Sequence, residues 1–236
     1  MKKVLLFALF ISGSIGSQAQ NRISFELGEG WASLKHGLYS GINYKSASDP
    51  ELSFGFSYLR RMNRNIYLGA RLYFQQYAFS YTVFQTDSVK LTAGEIDNKS
   101  SYFFVAPTVD IGIDRRQILH GYLSVGYGSY IHGTQKNHTY VYTSGGPFND
   151  NSFRTDNEIN KSVTSVNIGL IEHIRLDDYW HLTFNESYTI SQGSVTSLDN
   201  PINGTLSVNP HYFNMQIGIM YKFVFTGWQT RYIEED

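Results

Sequence analysis

The clearest pattern in the chain lies near its end. From Tyr212 to Phe225 alternate residues are apolar: Phe213, Met215, Ile217, Ile219, Tyr221, Phe223 and Phe225 share one face, and Asn214, Gln216, Gly218 and Lys222 share the other. Only Met220 and Val224 interrupt the alternation. A period of two is that of a β-strand. Its apolar face outruns the usual soluble strand of about 5–6 residues, and aromatic residues sit at both ends.

Seven earlier segments repeat the pattern, at about 22–31, 51–60, 66–81, 100–113, 118–132, 162–176 and 181–191. In each, large apolar residues such as Phe25 and Leu27, Phe54 and Phe56, or Ile168 and Leu170 oppose small or polar ones. The third segment changes parity at Tyr77, Phe79 and Tyr81, which predicts a bulge near Gln76. Pro107 removes a ladder donor and predicts an irregularity in the fourth.

The connections alternate in length. Those at 32–50, 82–99, 133–161 and 192–211 are long, whereas 61–65, 114–117 and 177–180 are tight turns. A transmembrane barrel sorts its connections this way, with short turns at one end and long loops at the other. The faces agree with that reading. Glycine occupies the small-polar face of seven segments, at Gly28, Gly55, Gly69, Gly112, Gly126, Gly169 and Gly218. That face carries too few charges for an aqueous surface and is therefore the interior. Trp31, Tyr58, Tyr67, Tyr102, Tyr188, Tyr212, Phe223 and Phe225 fall near strand ends, where interface girdles belong. The expected fold is all-β: an eight-stranded antiparallel up-and-down transmembrane β-barrel.

Composition narrows the function. Aromatic residues make up 16%, with 18 Tyr and 16 Phe, and 21 Gly stand beside 5 Pro. A net charge of −1 gives no basic field for nucleic acid. No cysteine is present, so thiol catalysis, disulfides and thiolate metal sites are excluded. Lys2, Lys3, the apolar run Val4 to Ile11 and Ser17-Gln18-Ala19 read as an export signal cleaved near Ala19/Gln20. The expected organisation is thus signal 1–19, barrel 20–225 and a periplasmic tail 226–236.

On these strand faces and this loop order the chain resembles the small eight-stranded outer-membrane barrels, OmpA-like and OmpX-like, and its signal resembles those of the Bacteroidetes. The resemblance implies a cell outer-membrane location, lipid and lipopolysaccharide as surroundings, and the barrel assembly machinery as partner during insertion. It also implies that Phe225 or Phe223 serves as the terminal aromatic of the assembly signal.

Two groups of ionisable residues stand out. Parity turns Glu26, Arg71, Asp110, Arg175 and Lys222 inward, as an ion-paired plug or the lining of a narrow, gated ion path. Parity turns Glu29, Glu172 and Glu186 toward lipid. A turn centred on Tyr179 sets Glu172 opposite Glu186, roughly 15 Å above the turn. Such a pair turns inward at a bulge, stays protonated, or forms a contact patch for a partner protein or lipid group.

Lipid A deacylases of the outer membrane carry a His-x-Ser pair and a downstream Glu on their lipid-facing surface. His173-Ile174-Arg175 with Glu186 resembles that set only in part, because Arg175 stands where the serine nucleophile is needed and His173 has the opposite parity to Glu186. The histidines at 36, 120, 132, 138, 173, 181 and 211 show no metal-ligand spacing. The expectation is a non-enzymatic barrel without cofactor or metal. It has a structural or surface-binding role through its four long loops, toward a surface ligand or envelope protein. A porin-like channel is the alternative, and a lipid A-modifying hydrolase the lesser one.

Overall fold

The computed structural model describes residues 20–34, 43–87, 90–114, 116, 118–143, 146–154, 159–192, 196–200, 204–208 and 210–224. The strands are β1 (Gln20–Leu34), β2 (Asn43–Ser48), β3 (Glu51–Arg61), β4 (Ile66–Asp87), β5 (Lys90–Gly112), β6 (Leu119–Thr143), β7 (Gly146–Arg154), β8 (Ser162–Arg175), β9 (Trp180–Gln192), β10 (Thr196–Asn200), β11 (Gly204–Val208) and β12 (Pro210–Val224). Eight of them close a barrel in the order β1-β3-β4-β5-β6-β8-β9-β12, and β12 pairs back onto β1 from Gln20↔Val224 to Leu34↔Pro210. Every pairing is antiparallel. The signal, the tail and Phe225 lie outside the described residues.

The faces are distributed as alternation predicts. Val125, Ile168 and Ile217 are 56%, 53% and 51% exposed on the outside, while Ser124, Asn167 and Gln216 beside them are buried in the lumen. Phe54 and Leu72 lie on the outer face and Gly55 and Gly126 on the inner one. A continuous apolar belt of this kind is stable against acyl chains and a liability in water.

Each short turn has a local cause. Asn63 Oδ1 accepts from the backbone of Asn65 and Ile66, Asp177 Oδ1 from Tyr179 and Trp180, and Asp114 from Arg116, Ile118 and Leu119, all at 2.7–3.0 Å. An Asx side chain that takes up the turn's amide groups fixes where a hairpin reverses.

That chemistry corrects one register. Asp177 centres the β8–β9 reversal on Asp178, so Glu186 lies opposite Leu170 and Glu172 opposite Phe184. The expected Glu172–Glu186 pair is displaced by two residues. The bulge expected near Gln76 is absent too, for the β4–β5 register runs unbroken from Ile66↔Ile111 to Asp87↔Lys90. Tyr77 is simply an inward tyrosine, fully buried. The shift falls instead on β6, where Ser101 faces His132 but Tyr102 faces Tyr130. Ile131 is the extra residue, and inward parity moves from even positions below it to odd positions above it. The β5–β6 ladder does skip Ala106 and Pro107, as the proline requires.

The long connections are not loops throughout. Residues 82–87 pair with 90–95, Lys136–Thr143 with β7, Asn43–Ser48 with β4, and β10 with β11. β4, β5 and β6 are 22, 23 and 25 residues long, about twice the 9–11 that cross a bilayer. Their outer halves, flanked by β2 and β7, continue the wall as a projecting five-stranded sheet in the order β2-β4-β5-β6-β7.

Candidate functional site

The lumen is filled in three layers. In the middle, Arg71 forms a buried ion pair with Glu26 and donates to Gln216 Oε1 at 3.1 Å. Asn185 donates to Glu26 Oε2 at 2.8 Å and to Gln216 Oε1 at 3.0 Å, and Ser24 donates to the other carboxylate oxygen at 3.3 Å. The Arg71 guanidinium also lies 4.7 Å from the Tyr122 ring centre. That ring lies flat over Gly169, where any side chain would collide with it.

Below this, toward the short turns, a second layer runs around the wall. Arg22, Tyr67, Asp110, His120, His173, His181 and Lys222 come from β1, β4, β5, β6, β8, β9 and β12. Tyr67 is directly opposite Asp110, His120 is diagonal to Asp110, which faces Tyr122, and His173 is diagonal to His120, which faces Ile171. A diagonal across tilted strands is level in the barrel, so the residues form a girdle. His120 Nδ1 meets Asp110 Oδ1 at 2.6 Å, Arg22 Nη1 is 3.8 Å from that oxygen, and the Arg22 guanidinium stacks 3.5 Å from the Tyr67 ring centre. The His120 and His173 rings cross edge to face at 4.7 Å. Lys222 Nζ reaches His181 Nε2 at 2.9 Å.

Above the middle layer the lumen turns aromatic. Tyr73 stacks on Phe104 at 4.6 Å with a 7° tilt, and Tyr77 meets Tyr102 and Tyr212 edge to face at 5.8 and 5.2 Å. Their hydroxyls are used: Tyr73 bonds Ser165 at 2.8 Å and Tyr102 donates to the Asn160 carbonyl at 2.8 Å. Ile159 and Val163 pack into the same layer. Tyr67, Tyr102 and Tyr212 therefore belong to the lumen and not to the outer girdle expected of them.

Of the five charges expected inside, Glu26, Arg71 and Asp110 are buried there and Lys222 is half-buried at the mouth. Arg175 is not inside. It is exposed at the end of β8, where the hairpin releases its side chain to pair with Asp178 and donate to the Asp177 carbonyl at 3.1 Å. Glu29, Glu172 and Glu186 are exposed on the outer face. Glu29 and Glu186 flank Met215 in one row of β1, β12 and β9, beside Trp31 and Phe184. Glu172 lies nearer the turns, paired with Leu119. His173 is buried and Glu186 exposed, so the wall separates the partial deacylase set.

Sequence reasoning missed the grouping of Asp110, His120 and His173, whose ligand atoms lie within 4.8 Å of one another. Linear spacing hides such a cluster. The signal that could have found it is the diagonal that barrel shear imposes on neighbouring strands.

A closed antiparallel wall, apolar outside and polar within, with tight turns at one end and long hairpins at the other, defines an outer-membrane-type transmembrane β-barrel. The solved structures similar to it include Ail, the attachment invasion locus protein of Yersinia pestis (15% identity, 88% of this chain and 100% of that chain, TM-score 0.42). Others are Neisserial surface protein A (13%, 86% and 97%, 0.37) and the outer-membrane protease OmpT of Escherichia coli (8%, 88% and 98%, 0.38). Likeness at this level says nothing about activity. No protein-family model matches the chain, and no curated sequence matches it.

Proposed function

We propose that the chain is a non-enzymatic outer-membrane protein that presents a binding surface outside the cell, its barrel serving as a filled scaffold. The projecting sheet β2-β4-β5-β6-β7 carries this reading, because its strands continue for as many residues beyond the apolar belt as within it. On β5 the outward apolar residues run from Phe103 to Ile111, and Lys99 pairs with Glu51 at 2.7 Å just beyond them. β2 and β7 offer strand edges to a surface ligand or envelope protein. The aromatic layer supports a scaffold over a channel, since it stands across the lumen among the described residues. The surroundings would be outer-membrane lipid and lipopolysaccharide, reached through the barrel assembly machinery.

The absence of native cysteine makes the test free of background. Asp97→Cys, at an exposed position of β5, should react with a membrane-impermeant maleimide on intact cells, and Asp177→Cys only after the envelope is opened. Reversed labelling would overturn the orientation. Stepwise conductance of the unaltered barrel in planar bilayers would favour the channel, and release of fatty acid from lipopolysaccharide the hydrolase.

A further inference from the structure

We propose that Asp110, His120 and His173 form a binding site for one late transition-metal dication of the zinc or copper type, inside the barrel near its short turns. Adjacent strands β5, β6 and β8 supply them, and one ligand atom from each lies within 4.8 Å of the others. Donors around an ion with bonds of about 2.1 Å sit roughly 3.4 Å apart. Small side-chain rotations close that gap.

The hydrogen bonding leaves the right atoms over. Both ring nitrogens of His173 and Asp110 Oδ2 have no hydrogen-bond partner, although the two residues are 4% and 1% exposed. Unmet polar atoms in a closed interior are costly, and a metal ion would satisfy one nitrogen of His173 together with the free oxygen of Asp110. Asp110 Oδ1 is already engaged with His120 Nδ1 at 2.6 Å. Entry of the ion would displace the proton shared in that contact, so that His120 Nδ1 and a carboxylate oxygen of Asp110 both turn to the ion.

Two imidazoles and one carboxylate select for zinc, copper or nickel over calcium and magnesium, which prefer oxygen ligands throughout. Arg22 sharpens the choice. Its Nη1 lies 3.5 Å from His120 Nε2 and 3.8 Å from Asp110 Oδ1, so an entering dication competes with a resident cation. Only an ion that imidazole binds strongly wins that competition.

The test uses the untagged full chain, purified from membranes in detergent and stripped with a chelator. Titration with Co²⁺, followed by its visible absorption and by displacement with Zn²⁺, should show one site per folded chain. Bound Cu²⁺ should give an electron paramagnetic resonance spectrum with two-nitrogen coupling. His120→Ala and His173→Ala should each weaken binding at least tenfold, whereas His132→Ala, an exposed histidine on the outer wall, should not. His173→Phe keeps a ring in the wall while removing both nitrogens, and gives the same reading if the alanine variant does not fold. A folded barrel that binds no ion, or binds equally well without His120 or His173, overturns the proposal.

Discussion

The two ends of the lumen are packed on opposite principles. Toward the short turns the wall contributes Arg22, Asp110, Lys222 and three imidazoles; Asp110 and Lys222 are held by histidines on neighbouring strands, and Arg22 reaches across the lumen to Asp110. Toward the hairpins it contributes tyrosine and phenylalanine rings in stacked and edge-on contact. The Glu26–Arg71 layer is the boundary. Charges inside a narrow barrel depend on exact partners, because little water is available to replace one that is lost. Rings depend on shape and hold the core together without needing such pairing. One end is thus specific and brittle, the other adhesive and tolerant.

The strongest way to break this contrast is Arg71→Met. It strands Glu26 and should cost about 3–5 kcal/mol, read by urea unfolding of the barrel in lipid vesicles. Glu26→Gln combined with Arg71→Met should recover much of that loss; equal losses would show the layer to be wetted. Phe104→Ala at the aromatic end should cost about 3 kcal/mol, the lower end of its class, as neighbouring rings close in. Together with Tyr77→Ala it should open a measurable conductance.

On the outer face, Glu186→Leu should stabilise the barrel by roughly 1 kcal/mol, since a carboxylate among acyl chains is unfavourable. No change would place Glu186 against a polar partner. The smallest effect is that of pH on the turns. The Trp180 and Tyr179 amide groups lower the Asp177 pKa, and the Leu119 amide leads the lowering at Asp114. A folded value below the unfolded one means that the contribution is fully present above the ordinary aspartate value of 3.8 and is lost as pH falls through the folded value. Asp114→Asn with Asp177→Asn should flatten unfolding midpoints measured below pH 3.8 and leave those at neutral pH nearly unchanged.

The wall was legible in the sequence because alternation, glycine placement and turn spacing all act over a few residues. Phe54 outward and Gly55 inward follow from a period of two and nothing more. What was not legible depends on contacts between strands. Tyr77 reads as a parity slip in the sequence because aromatic residues elsewhere in the chain face lipid, whereas the barrel has an aromatic interior at one end. Residues 82–99 looked like a loop because strands standing in water need no apolar stripe. The β8–β9 register moved by two because Asp177, not Tyr179, sets the reversal. The Asp110–His120–His173 group comes from strand shear, which no single segment encodes.

The extra residue at Ile131 makes β6 unequal along its length for any future change of sequence. Beyond it, hairpin tips can lengthen or shorten by residue pairs while each side chain keeps its aspect. Removal of Ile131 alone would join Tyr130 to His132 opposite Tyr102 and Ser101, restoring strict alternation with Gly133 and Gln135 still facing inward. Loss of any single paired residue above it would therefore turn side chains over, whereas loss of that one isoleucine would only straighten the wall.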